Sequence, residues 1–122
     1  MDQQTTESQP WCIFCRIVHG QASAEILYQD DLVTAFRDIH PQAPTHVQIV
    51  PNQHIPAVAA VTKTDARLLS RMIAVANQLA AQEGIAQSGY RLVINNGPQA
   101  GQSVNHLHLH LLGGRRMGWP PG

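Results

Sequence analysis

The stretch His106-Leu107-His108-Leu109-His110-Leu111-Leu112 decides the reading of this 122-residue chain. Side chains on a β-strand alternate between its two faces. Read as a strand, the stretch puts three imidazoles on one face, spaced by roughly 6–7 Å at ~3.3 Å rise per residue. The leucines take the other face and pack into a core. Imidazole changes charge near neutral pH and serves as base, nucleophile or metal ligand. Three readings follow: a solvated histidine face on an edge strand, a transition-metal site, or nucleophilic catalysis by one imidazole tuned by its neighbours. The flanking leucines place the strand in a core and argue against the first.

Upstream, Gly97-Pro98-Gln99-Ala100-Gly101-Gln102-Ser103 reads as a turn. Its glycines let the backbone approach a ligand closely, and it offers amide N–H groups and a hydroxyl. An imidazole strand beside an anion-binding turn suits attack on phosphorus better than attack on a carbonyl.

Working outward, Phe14 to Val18 is a short helical turn stopped by Gly20. Glu25 to Gln29 and Leu32 to Arg37 are two strands joined at Asp30-Asp31. A proline-fixed loop, His40 to Pro44, leads to a third strand, His46 to Val50. Thr64 to Glu83 is the one long helix, with Leu68, Leu69, Met72, Ile73, Val75, Ala76, Leu79 and Ala80 as its apolar stripe. Thr62 or Thr64 caps its start and Gly84 stops it. Tyr90 to Asn95 is the fourth strand and His106 to Leu112 the fifth. Strands grouped around one helix imply an α+β domain with a five-stranded antiparallel sheet, one long helix and a short N-terminal helix.

Hydrophobic residues are 43% of the chain, charged residues 13%, and formal net charge is zero. This predicts one globular domain over residues 11–122, behind a disordered N-terminal tail, residues 1–10. Neutrality argues against a nucleic-acid polymer as partner, because such partners select a basic face; a single nucleotide remains open. The first ten residues lack the basic start and apolar run of a signal peptide, and no stretch approaches ~20 apolar residues. A cytoplasmic protein without a membrane partner is expected. Cys12-Ile13-Phe14-Cys15 spaces its thiols as a metal half-site or redox pair rather than a structural bridge. His19 and His40 read as solvated loop residues.

The His-x-His-x-His-x-x pattern resembles the signature of the histidine triad (HIT) superfamily. Asp38-Ile39-His40-Pro41-Gln42-Ala43-Pro44-Thr45-His46, Gly101-Gln102-Ser103-Val104 and Gly113-Gly114-Arg115-Arg116-Met117-Gly118-Trp119-Pro120-Pro121-Gly122 are similar to its Hint branch, which contains purine nucleoside phosphoramidases. The likeness runs from about Cys12 to Gly122. It implies a HIT-like fold and a hydrolase that turns adenosine 5′-monophosphoramidate-like substrates into nucleoside monophosphate and amine through a nucleotidyl-histidine.

By that resemblance His108 is the nucleophile, His110 a phosphate contact, His46 a supporting histidine, and Ser103 lies near the leaving group. Asp38 accepts ribose hydroxyls. Phe14, Ile17 and Ile39 form the purine slot, although taken alone they are core residues. Asn95, Gly101 and Gln102 match phosphate-side contacts. The resemblance also implies a homodimer in which Trp119 reaches toward the partner's site, and no cofactor for catalysis. Many bacterial relatives pair Cys-x-x-Cys with two histidines around structural zinc. Here those histidines are His54 and His106; without zinc, the pair is two buried thiols. Two further readings stay open: a nucleotide-binding regulatory module with little turnover, and a metalloenzyme holding one ion on all three triad histidines.

Overall fold

The computed structural model describes residues 7–122; of the expected N-terminal tail, residues 1–6 lie outside the described residues. The first element is a short helix, α1 (Ile13–Val18), capped by the Cys12 thiol, which accepts the Cys15 N–H at 3.4 Å. This cap places both cysteines within one helical turn. Two strands follow, β1 (Ile26–Gln29) and β2 (Val33–Arg37), joined through Asp30. The Asp30 carboxylate closes the hairpin by accepting the N–H groups of Leu32 (2.7 Å) and Val33 (2.9 Å). Tyr28 Oη and Arg71 Nη1 also donate to it. Burial alone would raise its pKa, but these donors hold it well below the usual carboxylate range.

The third strand, β3 (Thr45–Pro51), is buried along its whole length. The long helix α2 (Ala66–Gln82) starts later than expected. Residues Lys63–Asp65 form a 3₁₀ turn, and the Asp65 carboxylate accepts the Thr62 N–H. Its end is as expected: Gly84, at φ +76°, bonds Ala81 O while Ile85 N bonds Ala80 O, a Schellman stop. The last two strands are β4 (Tyr90–Val93) and β5 (Leu109–Gly113).

These strands form one antiparallel sheet in the order β1-β2-β3-β5-β4. The expected α+β architecture is therefore present. Helix α2 covers one face, where Leu68, Met72, Val75 and Leu79 meet Val33, Val47, Ile49, Leu109 and Leu111. On the other face Phe14 and Ile17 of α1 pack with Phe36 and Val50. No helix among the described residues is long and apolar enough to cross a membrane.

Two strand boundaries need correction. The fourth strand stops at Val93, short of the expected Asn95. His106 to His108 do not belong to the ladder, which opens at Leu109. The Leu107 N–H turns instead to Ile55 O, 2.6 Å away. The alternation nevertheless survives, since Leu107, Leu109 and Leu111 all enter the α2 core.

Candidate active site

The sheet face opposite α2 carries a cavity of about 350 Å³ between α1, β2, β3 and the 103–110 segment. It gathers Phe14, Ile17, Asp38, Ile39, Ser103, His108 and His110. Residues from four separate stretches of the sequence thus line one cavity. His46 stands behind this wall, 6% exposed, and reaches it through His110. Asn95, Gly101, Gln102 and Trp119 do not line the cavity. Gln102 is committed to its own loop: its Oε1 accepts the Gly97 N–H, and its Nε2 donates to Pro56 O and Val104 O. Trp119 is 82% exposed.

Two residues without an expected role also face the cavity. His40, expected as a bystander, lines its rim. Gln48 lines its floor and was given no role. The only signal for Gln48 is its position in β3, where it shares the parity of His46 in an otherwise apolar run. Arg37 also lines the cavity, and its guanidinium is held bidentate by Glu83 at 2.9 Å for each bond.

The histidines share a face but not an environment. His108 Nδ1 lies 2.7 Å from the carbonyl of His106. A carbonyl only accepts, so Nδ1 carries the proton and the lone pair sits on Nε2. The Phe14 ring meets the His108 ring edge-on at 5.2 Å and the His106 ring at 5.8 Å.

His46 and His110 form a proton chain. The Gln42 N–H donates to His46 Nδ1 at 3.0 Å, so the neutral ring carries its proton on Nε2. That Nε2–H points at His110 Nδ1, 2.9 Å away. His110 therefore accepts at Nδ1 and carries its own proton on Nε2. Burial, with His108 and His46 alongside, pushes the His110 pKa down to about 4. Burial likewise lowers that of His46, partly opposed by Asp38. Both rings are neutral at pH 7, and His110 ends the chain as a neutral donor. The Asp38 carboxylate accepts the His40 N–H at 2.8 Å and the Gln48 Nε2–H at 2.7 Å. Asp38, His46 and His110 approach one another closely enough to hold a cation. Their facing atoms are already committed to these hydrogen bonds, so we read them as a proton chain.

His106 faces elsewhere. Cys12, Cys15, His54 and His106 are all buried, and their ligand atoms lie within 4.8 Å of one another. His106 Nδ1 is 3.3 Å from Cys12 Sγ and 3.6 Å from Cys15 Sγ, and His54 Nδ1 is 3.3 Å from Cys15 Sγ. Tetrahedral zinc with two thiolates and two imidazoles spaces its ligand atoms by about 3.3–3.8 Å, so the set fits. The His106 Nε2–H donates to Pro51 O at 2.9 Å, which turns the Nδ1 lone pair toward the thiols. Burial drives the His106 pKa down to about 4 and raises that of the Cys12 thiol. The three triad histidines do not converge on one point, so a single ion held by all three is excluded by this geometry.

Residues 19–117 match the family model of the HIT domain. The chain is 55% identical over 106 residues to a purine nucleoside phosphoramidase of Escherichia coli strain K12, covering 87% of this chain and 89% of that protein. It is 48% identical to an uncharacterised HIT-like protein of Synechococcus elongatus, over 90% of this chain and 96% of the relative. A solved HIT family hydrolase from Legionella pneumophila Philadelphia 1 superposes with a TM-score of 0.90 at 49% identity, covering 91% of this chain and 99% of that one. With the family model spanning most of its length and relatives near half identity along nearly all of it, this chain belongs to the HIT domain family.

Proposed function

We propose that this chain is a hydrolase of purine nucleoside 5′-phosphoramidates, releasing a nucleoside monophosphate and an amine. The observation that carries the chemistry is the bond from His108 Nδ1 to the His106 carbonyl at 2.7 Å. It commits the ring's proton to the backbone and leaves Nε2 with its lone pair on a cavity wall. The relative at 55% identity, named a purine nucleoside phosphoramidase, supports the substrate class.

In this reading His108 Nε2 attacks the α-phosphorus and the phosphorus–nitrogen bond to the amine breaks. The departing nitrogen takes the proton of the exposed Ser103 hydroxyl, which solvent water replenishes and the later attack of water returns, since an amine leaves far better once protonated. The nucleotidyl-imidazole is cationic, and its Nδ1–H stays bonded to the His106 carbonyl, which stabilises that charge. Water then attacks phosphorus, the bond to Nε2 breaks, and the monophosphate is released. The neutral Nε2–H of His110 is placed to hold a phosphate oxygen. Asp38 offers acceptor capacity to the ribose hydroxyls, while Phe14, Ile17 and Ile39 give the purine apolar surface. Asn95, Gly101, Gln102 and Trp119 would contribute only after movement or across a subunit boundary.

His108→Gly should abolish turnover of a fluorogenic adenosine phosphoramidate while AMP still binds. Wild-type turnover in that variant would refute the nucleophile assignment. A regulatory module would instead bind AMP with no turnover in the unmodified protein.

The Cys12, Cys15, His54 and His106 set is proposed to hold a structural zinc that supplies no chemistry to the reaction. Metal analysis of the purified chain should find one zinc per chain, and a metal-free protein with unchanged thermal stability would refute it. The chain is further proposed to act as a homodimer in the cytoplasm, with Trp119 meeting the partner's cavity. A monomer at working concentration by sedimentation would exclude that arrangement.

A further inference from the structure

Gln48 lies on the cavity floor, 9% exposed, opposite His110 in the register of β3 with β5. Its Nε2 donates to Asp38 Oδ2 at 2.7 Å. Its Oε1 is buried and, among the described residues, has no hydrogen-bond partner. Turning the amide over would set oxygen against a carboxylate oxygen, so the orientation is fixed by Asp38. A stranded buried acceptor destabilises a fold. An apolar side chain at this position would avoid that cost, so the amide is retained for what its N–H does.

The same Asp38 Oδ2 lies 3.4 Å from His46 Nε2. The His46 proton is directed at His110 Nδ1, 2.9 Å away. A carboxylate and a neutral imidazole nitrogen therefore compete for one proton donor. Charged acceptors make the stronger hydrogen bond, yet the neutral one holds the proton. The difference is one of distance: Gln48 draws the carboxylate oxygen to itself at 2.7 Å and leaves it 3.4 Å from His46.

We propose that Gln48 is a positioning residue, whose amide N–H anchors Asp38 Oδ2 at 3.4 Å from His46 Nε2 and so keeps the His46 proton on His110. Its role in turnover rests on the phosphoramidase reading; its role in the hydrogen-bond chain rests on geometry alone. With the chain in this order, His110 presents an N–H to the cavity. Without the Gln48 donor, Asp38 captures the His46 Nε2–H. His110 Nδ1 then loses its donor, and its ring is free to carry its proton on either nitrogen. A lone pair would replace the N–H wherever a phosphate oxygen has to be held.

The test is Gln48→Met, which keeps length and volume and removes both the donor and the stranded acceptor. Long-range proton–nitrogen correlation spectra read the imidazole tautomers directly. The unmodified protein should show His110 protonated on Nε2 alone, and Q48M a mixture of tautomers. Turnover of adenosine 5′-phosphoramidate should fall by about threefold to tenfold, the worth of one misdirected hydrogen bond. Adding Asp38→Asn, a neutral and weaker competitor, should restore the single His110 tautomer. A residue with a merely structural role would not give this rescue.

A single Nε2–H tautomer retained in Q48M would overturn the inference. If Q48M fails to fold, the unmodified protein still decides: His110 protonated on Nδ1 would overturn it. The two readings separate cleanly. No wild-type turnover, with the tautomer change present in Q48M, sinks the phosphoramidase reading and supports the hydrogen-bond role. Normal turnover with unchanged tautomers in Q48M sinks only the inference.

Discussion

Replacing His110 by glutamine should remove a specific weakness of this protein toward acid. In the folded chain burial, reinforced by His108 and His46, holds the His110 pKa at about 4, against 6.5 for a free imidazole. The folded state thus refuses a proton that the unfolded state accepts. For a depressed histidine the cost is absent above pH 6.5 and grows as pH falls toward 4. Linkage between these two values gives about 1.4 kcal/mol lost at pH 5.5 and about 2.5 kcal/mol at pH 4.5. Solvent at the ring's cavity edge screens part of this, so about 2 kcal/mol at pH 4.5 is expected. Urea unfolding of wild type and H110Q at pH 7.5, 5.5 and 4.5 measures it. Carboxylates and the remaining histidines titrate in both proteins and cancel to first order. The variant starts less stable, because it loses the imidazole that accepts from His46 and packs against His46 and His108, but the gap should narrow by about 2 kcal/mol at pH 4.5. A gap that stays constant within about 0.5 kcal/mol would refute the idea that His110 is held neutral by its surroundings.

Other expectations follow from single contacts. A Cβ at Gly113 would run into the Ile85 side chain; G113A should cost about 1–3 kcal/mol by thermal unfolding, and Ile85→Ala should recover part of it. Glu83→Ala removes both bonds to Arg37, a part-exposed pair worth about 1 kcal/mol; because Arg37 holds the Glu83 pKa down, that contribution is lost as pH falls below 4.5. Cys15→Ser should release bound zinc and lower the unfolding temperature, and an unchanged transition would count against the structural-metal reading.

The sheet and the long helix were legible because each shows its own period. The Thr64–Glu83 stripe reappears as a helix trimmed at both ends, and His46–Val50 as a strand one residue longer at each end. The helix begins late because Asp65 spends its carboxylate on the Thr62 N–H, a local exchange that apolar periodicity cannot register. The triad strand opens three residues later than the histidine pattern suggests. Its alternation was right, but Leu107 bonds Ile55 across the chain rather than a neighbouring strand. Asp30 at the hairpin was visible as a turn residue; its partner Arg71, 41 positions away, was not. The same holds for Arg37 and Glu83, joined across 46 positions. Gln48 carried almost no signal, since a polar residue inside a strand gains meaning only from what stands opposite it.

His106 contributes two different parts of itself to two neighbouring structures. Its imidazole belongs to the cysteine cluster, while its carbonyl fixes the His108 tautomer. Every amino acid brings a carbonyl, so the second service is independent of the side chain. The chemistry at position 106 is thus encoded by the path of the main chain, and the cluster by the letter in the sequence. A lineage could therefore exchange the cluster for ordinary apolar packing and keep the nucleophile armed. An engineer could likewise rebuild the cluster as a sensor without rewriting a single reacting group.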